Sequence, residues 1–329
     1  MDTRLPFVPG ILVLLGLVVM SLTLAMGFGA AELGFANIWQ CMTNTCERSI
    51  YQTILLDVRL PRVLMGFLAG FALAAAGALM QNVTRNPLAD PYLFGIVAGA
   101  ALGATLSGLL PEQFQAFSLP FAAFLGALFA VFIVITVLMH NNWRRIEHLL
   151  LAGVAVSFLL SAISSFILYF GEAFAANRVI FWMMGSLARA DYQSLSYVAP
   201  VVLISCVLAL VFSRQLDALL LSDESARTLG VNVDKVRLVA LVVCAAMTAV
   251  VVSYCGGIAF VGLMIPHIVR PFFGITTAKL LLSAGLIGGC FLVWVDVVAR
   301  TIVTGQEIPI GVITSVIGSV FFLFLMRRM

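Results

Sequence analysis

Charge is what this chain has least of. Of its 329 residues only 10% are Asp, Glu, Lys or Arg, against 62% apolar residues and a mean hydropathy of +1.13. A soluble domain carries about 25% charged residues, so 18 basic and 15 acidic side chains cannot clothe a water-facing exterior of this size. That excludes a water-soluble enzyme and a disordered chain. A net charge of +3, scattered along the sequence, excludes a nucleic-acid-binding face. The solvent for most of this chain is lipid.

Lysine is scarcer still. The two lysines are Lys235 after Asp234 and Lys279 after Ala278, and a phosphate loop needs a glycine directly before its lysine. The chain cannot bind ATP in that way. His140, His148 and His267 are dispersed, with no cysteine or carboxylate at metal-ligand spacing. No serine or cysteine nucleophile with a paired base is visible. Ionisable groups at mid-bilayer, the usual equipment of proton- or sodium-driven carriers, are also missing. The nearest exception is Asp296, four residues before Arg300 and able to pair with it on one helix face. Any passage is then lined by Ser, Thr, Asn, Gly and apolar groups, and its energy comes from elsewhere.

What is present is a series of membrane-sized apolar runs. Charge-free stretches cover 5–31, 63–84, 92–111, 113–143, 149–171, 192–213, 238–269, 280–295 and 308–326. A crossing takes roughly 20 helical residues, so most are one span each. The stretch 238–269 would make a helix of about 48 Å, and Cys255-Gly256-Gly257 and Pro266 offer places to break it into two. That predicts ten spans. With both termini inside, Arg4, Arg85, Arg144, Arg145, Arg214, Arg227, Lys235, Arg237, Arg270, Lys279, Arg327 and Arg328 are inner, against Arg48, Arg59, Arg62, Arg178, Arg189 and Arg300 outside. Twelve against six obeys the positive-inside rule, and an odd number of spans would break it. The first run exceeds the roughly 7–15 apolar residues of a signal peptide and reads as an uncleaved span.

The inner stretch 214–237 stands out. Ser222 can cap a short helix with Asp223 and Glu224 in its first turn; Arg227 follows, Gly230 is a natural stop, and Asn232 can cap what comes next. Two readings are open: two short helices forming a knob that receives force from a separate motor, or a solvated loop. Cys41 and Cys46 fall in the first outer loop, where a disulfide or two free thiols both fit the spacing. Alkylation without reductant, read by mass spectrometry, separates them. The other four cysteines sit in apolar runs as small core residues.

Several motifs run through the chain in order: R-L-P-R at 59–62, G-A-L-M-Q at 77–81, R-N-P-L-A-D-P at 85–91, L-L-L-A-G-V-A at 149–155 and F-W-M-M-G-S-L at 181–187. S-A-R-T-L-G-V at 225–231, G-x-I-x-F-V-G-L-x-x-P-H-I-x-R ending at Arg270, and E-I-P-I-G-V-I-T at 307–314 complete the set. With them the chain resembles the iron-siderophore, haem and cobalamin permeases of bacterial ABC importers, the vitamin B12 permease family. Pro271 and the cysteine-bearing loop at 41–46 depart from the pattern.

The resemblance implies an all-α integral membrane protein of the type II ABC importer permease fold, one polytopic domain over 1–329, in a bacterial inner membrane with both termini cytoplasmic. It implies a homodimer, two cytoplasmic ATPases that hold ATP and Mg, and a periplasmic substrate-binding protein. No cofactor is expected on this chain, and no nucleic acid. The ATPases would engage coupling helices at about 215–235, through Ser222, Glu224, Ser225, Ala226, Arg227, Leu229, Gly230 and Val231. Replacing Arg227, or inserting a residue at Gly230, is expected to uncouple a folded permease.

For other residues two readings stand side by side. Asn86, in the inner turn before Pro87, either ends one helix or belongs to a gate. Asn141 and Asn142 sit in the turn His140–His148, which helps form a gate in similar proteins or merely anchors topology. Ser157, Ser161, Ser164 and Ser165 line the pathway or permit tight packing. Arg59, Arg62 and Arg300 anchor helix ends, or dock carboxylates of the binding protein as similar permeases do. On the docking reading, Arg59→Glu with Arg62→Glu leaves expression intact and weakens capture. An ion-coupled carrier and a membrane enzyme or channel are the competing classes, disfavoured by the missing mid-membrane carboxylates and catalytic cluster. A ferric siderophore is the expected cargo, with haem and then cobalamin behind.

Overall fold

The computed structural model describes residues 6–29, 49–110, 112–140, 146–171, 173–303 and 305–327, and only the backbone at 49, 112–118, 140, 146, 147, 173 and 175. Among the described residues all regular structure is helical. The helices are α1 (Phe7–Gly27), α2 (Leu60–Thr84), α3 (Ile96–Ser107), α4 (Glu112–His140), α5 (Ile146–Phe170), α6 (Ala173–Met183) and α7 (Tyr192–Val211). Then come α8 (Ser213–Leu219), α9 (Asp223–Thr228), α10 (Val233–Cys255), α11 (Val261–Phe273), α12 (Thr277–Thr301) and α13 (Ile310–Met326). Among the described residues seven spans are long and apolar enough to cross a membrane; α3, α11 and α13 are apolar but shorter.

α2 is entered through a helical turn at Ser49–Thr53 and a π-helical stretch at Ile54–Arg59. The cause is Pro61, at the start of α2, which lacks an N–H and whose ring crowds the carbonyl four residues back. A wider turn absorbs both. The start of α2 is thus a change of winding inside a longer helix.

α2 forms the centre of the bundle, with most of its residues buried. Its Ala69, Ala72, Ala74, Ala75 and Ala76 are fully buried. Between helices in lipid there is little hydrophobic drive, so small residues that bring backbones together do the packing. A Cβ on Gly70 would collide with the Gly288 backbone of α12, and one on Gly77 with the Gly262 backbone of α11.

The break expected in 238–269 falls where the glycines are. α10 stops at Cys255, Gly256 turns with φ +73°, and Phe260 leads into α11 with φ +68°. Pro266, also read as a place to break, lies instead inside α11 together with Pro271. The freed backbone between the two helices is bonded to protein: Gly257 N–H donates to Met183 O (3.3 Å), and Tyr92 OH donates to Ile258 O (2.8 Å). Irregular backbone at membrane depth is tolerated where protein buries it in this way.

Candidate functional site at the two ends of the bundle

One end of the bundle gathers the last turn of α2, α8, α9, the first turn of α10, the end of α11 and the start of α12. Ser222 caps α9 as expected: its Oγ accepts from Ser225 N–H at 3.0 Å and donates to Ser225 Oγ at 2.8 Å. The helix stops in a paired turn, Gly230 N–H to Arg227 O and Val231 N–H to Ala226 O, both 3.0 Å. Gly230 has φ +79°, the left-handed geometry this stop requires. Asn232 Oδ1 accepts from Lys235 N–H at 3.1 Å.

The expected knob needs one correction. Asn232 caps the long α10 and not a second short helix; the other short helix is α8, on the preceding side. No glycine or proline interrupts the sequence between Asn232 and Cys255, so nothing ends a helix before Cys255.

Ala226 is fully buried and seats α9, while Leu221, Glu224, Arg227, Leu229 and Gly230 are exposed, Leu229 at 65%. Ser222, Ser225 and Val231 are half-buried. Arg227 lies 3.7 Å from Asp234 in an exposed pair, a geometry that contributes little. The Asp223 carboxylate accepts from Arg85 Nη2 at 2.8 Å and from Arg237 Nη2 at 3.1 Å. Arg85 ends α2 and Arg237 belongs to α10. Nearby, Arg270 Nη2 donates to Gln81 Oε1 at 3.0 Å, and Gln81 Nε2 to Gly262 O at 3.2 Å, joining α11 to α2.

Asn86 makes a turn: its Oδ1 accepts from Leu88 N–H at 2.9 Å. Asp90 caps the short 3-10 helix Pro91–Phe94 by accepting from Tyr92 N–H at 2.8 Å. Burial pushes the Asp90 carboxyl up to about 6, with the Tyr92 bond pulling the other way.

At the opposite end lie Arg59, Arg62 and Arg300, the residues for which helix anchoring and partner docking are both expected readings. Arg59 and Arg62 are 5% and 8% exposed. Arg62 Nε and Nη2 donate to Asp296 Oδ1 at 3.0 and 2.9 Å, and its Nη1 to Glu307 Oε1 at 2.7 Å. Arg59 Nη1 donates to Met26 O at 2.8 Å and Arg300 Nη2 to Ala25 O at 2.9 Å. A helix leaves its last carbonyls without partners, so these two arginines cap α1 from α2 and α12. Arg300 also lies 3.5 Å from Asp296 across one helical turn. All three cations are engaged within the chain, and docking would have to exchange those partners. Arg59→Glu with Arg62→Glu would set carboxylates against Asp296, Glu307 and carbonyl oxygens, so folding suffers as well as any capture.

Glu307 sits outside the helices, and its hydrogen bonds to Arg62 hold its carboxyl below the ordinary 4.5 against a smaller opposing effect of burial. A lowered carboxylate pKa stabilises the fold above the ordinary value and is lost as pH falls through the folded one. The thermal midpoint of the detergent-solubilised protein is therefore expected to fall on acidification below about 4.5 more steeply than that of Glu307→Gln. Parallel pH profiles would remove Glu307 from the network's energetics.

The serines of α5 do not act as one set. Ser157 Oγ donates to Gly153 O at 2.7 Å, and Ser164 Oγ bonds Thr105 Oγ1 of α3 at 2.8 Å, a packing contact. Ser161 and Ser165 stay on the exposed face. Asn141, Asn142, Cys41 and Cys46 lie outside the described residues. Cys206, Cys244 and Cys255 are buried and Cys290 half-buried, all with free thiols. Sequence reasoning passed over Asp217, and it named Asp223, Arg85, Arg237 and Glu307 by position without their partners. Of the ion pairs, the one from Asp296 to Arg300 carried a signal in its spacing.

Residues 16–328 match the FecCD transport family. The hemin transport system permease protein HmuU of Yersinia pestis is 37% identical over 324 residues, 95% of this chain and 94% of that one. The ferric enterobactin transport system permease protein FepD of Escherichia coli (strain K12) is 38% identical, with 99% and 96% covered. A solved structure reported as an inward-facing conformation of a metal-chelate type ABC transporter superposes with a TM-score of 0.86 at 28% identity, over 97% of this chain and 99% of the other. These relatives are transport permeases and not enzymes. On the family match over nearly its whole length, the chain belongs to the FecCD transport family.

Proposed function

We propose that the chain is the membrane-spanning permease subunit of an ATP-driven importer that carries a bulky iron chelate, a ferric siderophore, across a bacterial inner membrane. Haem and cobalamin are the alternative cargoes, since relatives named for hemin, ferric enterobactin and cobalamin match it to similar degrees. The observation that carries the reading is α9: a capped, exposed helix too short to stand alone, pinned by Asp223 to α2 and α10. A chain without a phosphate loop but with such a knob receives its energy from a separate ATPase.

In this reading the seven long spans and the three shorter helices make ten crossings, oriented by the bias of basic residues with both termini inside. Two copies form the pathway, two ATPases bind at α9, and a periplasmic binding protein delivers the cargo at the Arg62 end. The exposed Ser161 and Ser165 are the remaining candidates for pathway lining. An ion-coupled carrier fits less well, because Asp296 is already matched by Arg62 and Arg300.

The test is purification under mild detergent. The tagged permease should bring down an ATPase in equal numbers, and the binding protein encoded with it should yield an iron chelate to mass spectrometry. Recovery of the folded permease alone would sink the reading; cobalamin or haem in the binding protein would correct only the cargo.

A further inference from the structure

We propose that Asp223 is the positioning residue that ties α9 to the membrane helices and so sets how much of each ATP hydrolysed reaches the pathway. The proposal rests on the importer reading and deepens it. α9 has six residues and one fully buried side chain, Ala226. A load applied at the exposed Arg227 or Leu229 would swing so short a helix about its ends unless something fixed it. The Asp223 carboxylate supplies the fixing, with charge-assisted bonds to Arg85 at 2.8 Å and Arg237 at 3.1 Å. Arg237 is 4% exposed and Arg85 closes the most buried span of the protein.

A second arm runs from the neighbouring α8. Asp217 Oδ1 accepts from Thr277 N–H at 2.6 Å, at the first turn of α12, where the Thr276 side chain makes no capping bond. The stretch 217–223 therefore grips α2, α10 and α12 together. α10 and α12 each pack on α2 at the centre of the fold, α12 through Gly70 and Gly288. Displacing α9 thus displaces the helices at the centre of the fold.

Arg85 adds an independent mark. Its φ is +51°, the left-handed conformation that favours glycine, in a turn closed by Asn86 N–H to Gln81 O at 3.2 Å. A glycine there would relieve the backbone. The arginine is strained where it stands, and its side chain is spent on Asp223.

That strain separates a coupling role from a structural one. Arg85→Gly should leave the melting temperature unchanged or raised while weakening coupling, and Asp223→Asn should keep the shape of α9 while removing its charge. Both variants and the unsubstituted protein would be reconstituted in proteoliposomes with the ATPase and the binding protein. Uptake of ferric enterobactin, hemin and cobalamin would be read beside ATP hydrolysis. Expected are normal assembly, retained basal hydrolysis, and cargo moved per ATP reduced about tenfold in Asp223→Asn and about fivefold in Arg85→Gly, within the range of known couplings. Unchanged transport per ATP in either variant overturns the proposal, as does a loss in Arg85→Gly that tracks a lower melting temperature or failed assembly. If the unsubstituted protein shows no ATP-dependent uptake, the importer reading falls, and this proposal with it.

Discussion

Replacing Asp296 with alanine is expected to destabilise the protein by about 3–5 kcal/mol, enough to abolish recovery of folded material. Asp296 is 1% exposed and faces two arginines, Arg62 at 2.9 Å and Arg300 at 3.5 Å. Removing it leaves both guanidinium groups buried with one carboxylate, Glu307, which is 46% exposed at its side chain and lies 2.7 Å from Arg62 alone. A buried cation stripped of its partner costs more than the pair was worth. The companion Asp296→Leu with Arg62→Met removes both charges of the main pair, so it should be milder than Asp296→Ala. Fluorescence-detected size exclusion and a thermal midpoint in detergent read the difference. A native profile for Asp296→Ala would show that the pair is dispensable.

Gly77→Val is expected to cost about 3 kcal/mol, at the upper end of overpacking effects. The new side chain would be driven into the Gly262 backbone, and a backbone cannot move aside as a side chain can. Relief requires α2 and α11 to separate, which also disturbs Gln81 and its bond to Gly262 O. Gly16→Val is the control: nothing lies within 4 Å of its Cβ position, so it should be neutral. Equal midpoints for the two variants would remove close approach at Gly77 from the account.

What was legible in the sequence was what short-range physics decides. Ser222, Gly230 and Asn232 announce helix ends because each bonds within a few residues of itself. The glycines at 256–257 announced the break between α10 and α11 for the same reason. Pro266 misled because a proline in a helix held by neighbours loses one bond without ending the helix. The two ends of the bundle were illegible at the level of partners. Arg62 meets Asp296 across 234 positions, and Asp223 meets Arg85 across 138. Charges near span ends were visible, but which carboxylate answers which arginine depends on how the helices pack. Counting charges therefore located the arginines along the chain and, apart from Asp296 beside Arg300, left their partners open.

The central claim is that a separate ATPase drives this permease, and ATP-dependent uptake tests it most directly. Proteoliposomes holding permease, ATPase and binding protein would be supplied with ATP on the α9 side, and uptake of ferric enterobactin, hemin and cobalamin followed with and without ionophores. Uptake of one of these chelates that needs ATP and survives collapse of every ion gradient is the predicted result. Uptake that proceeds without ATP and stops when an ion gradient is dissipated would contradict the account.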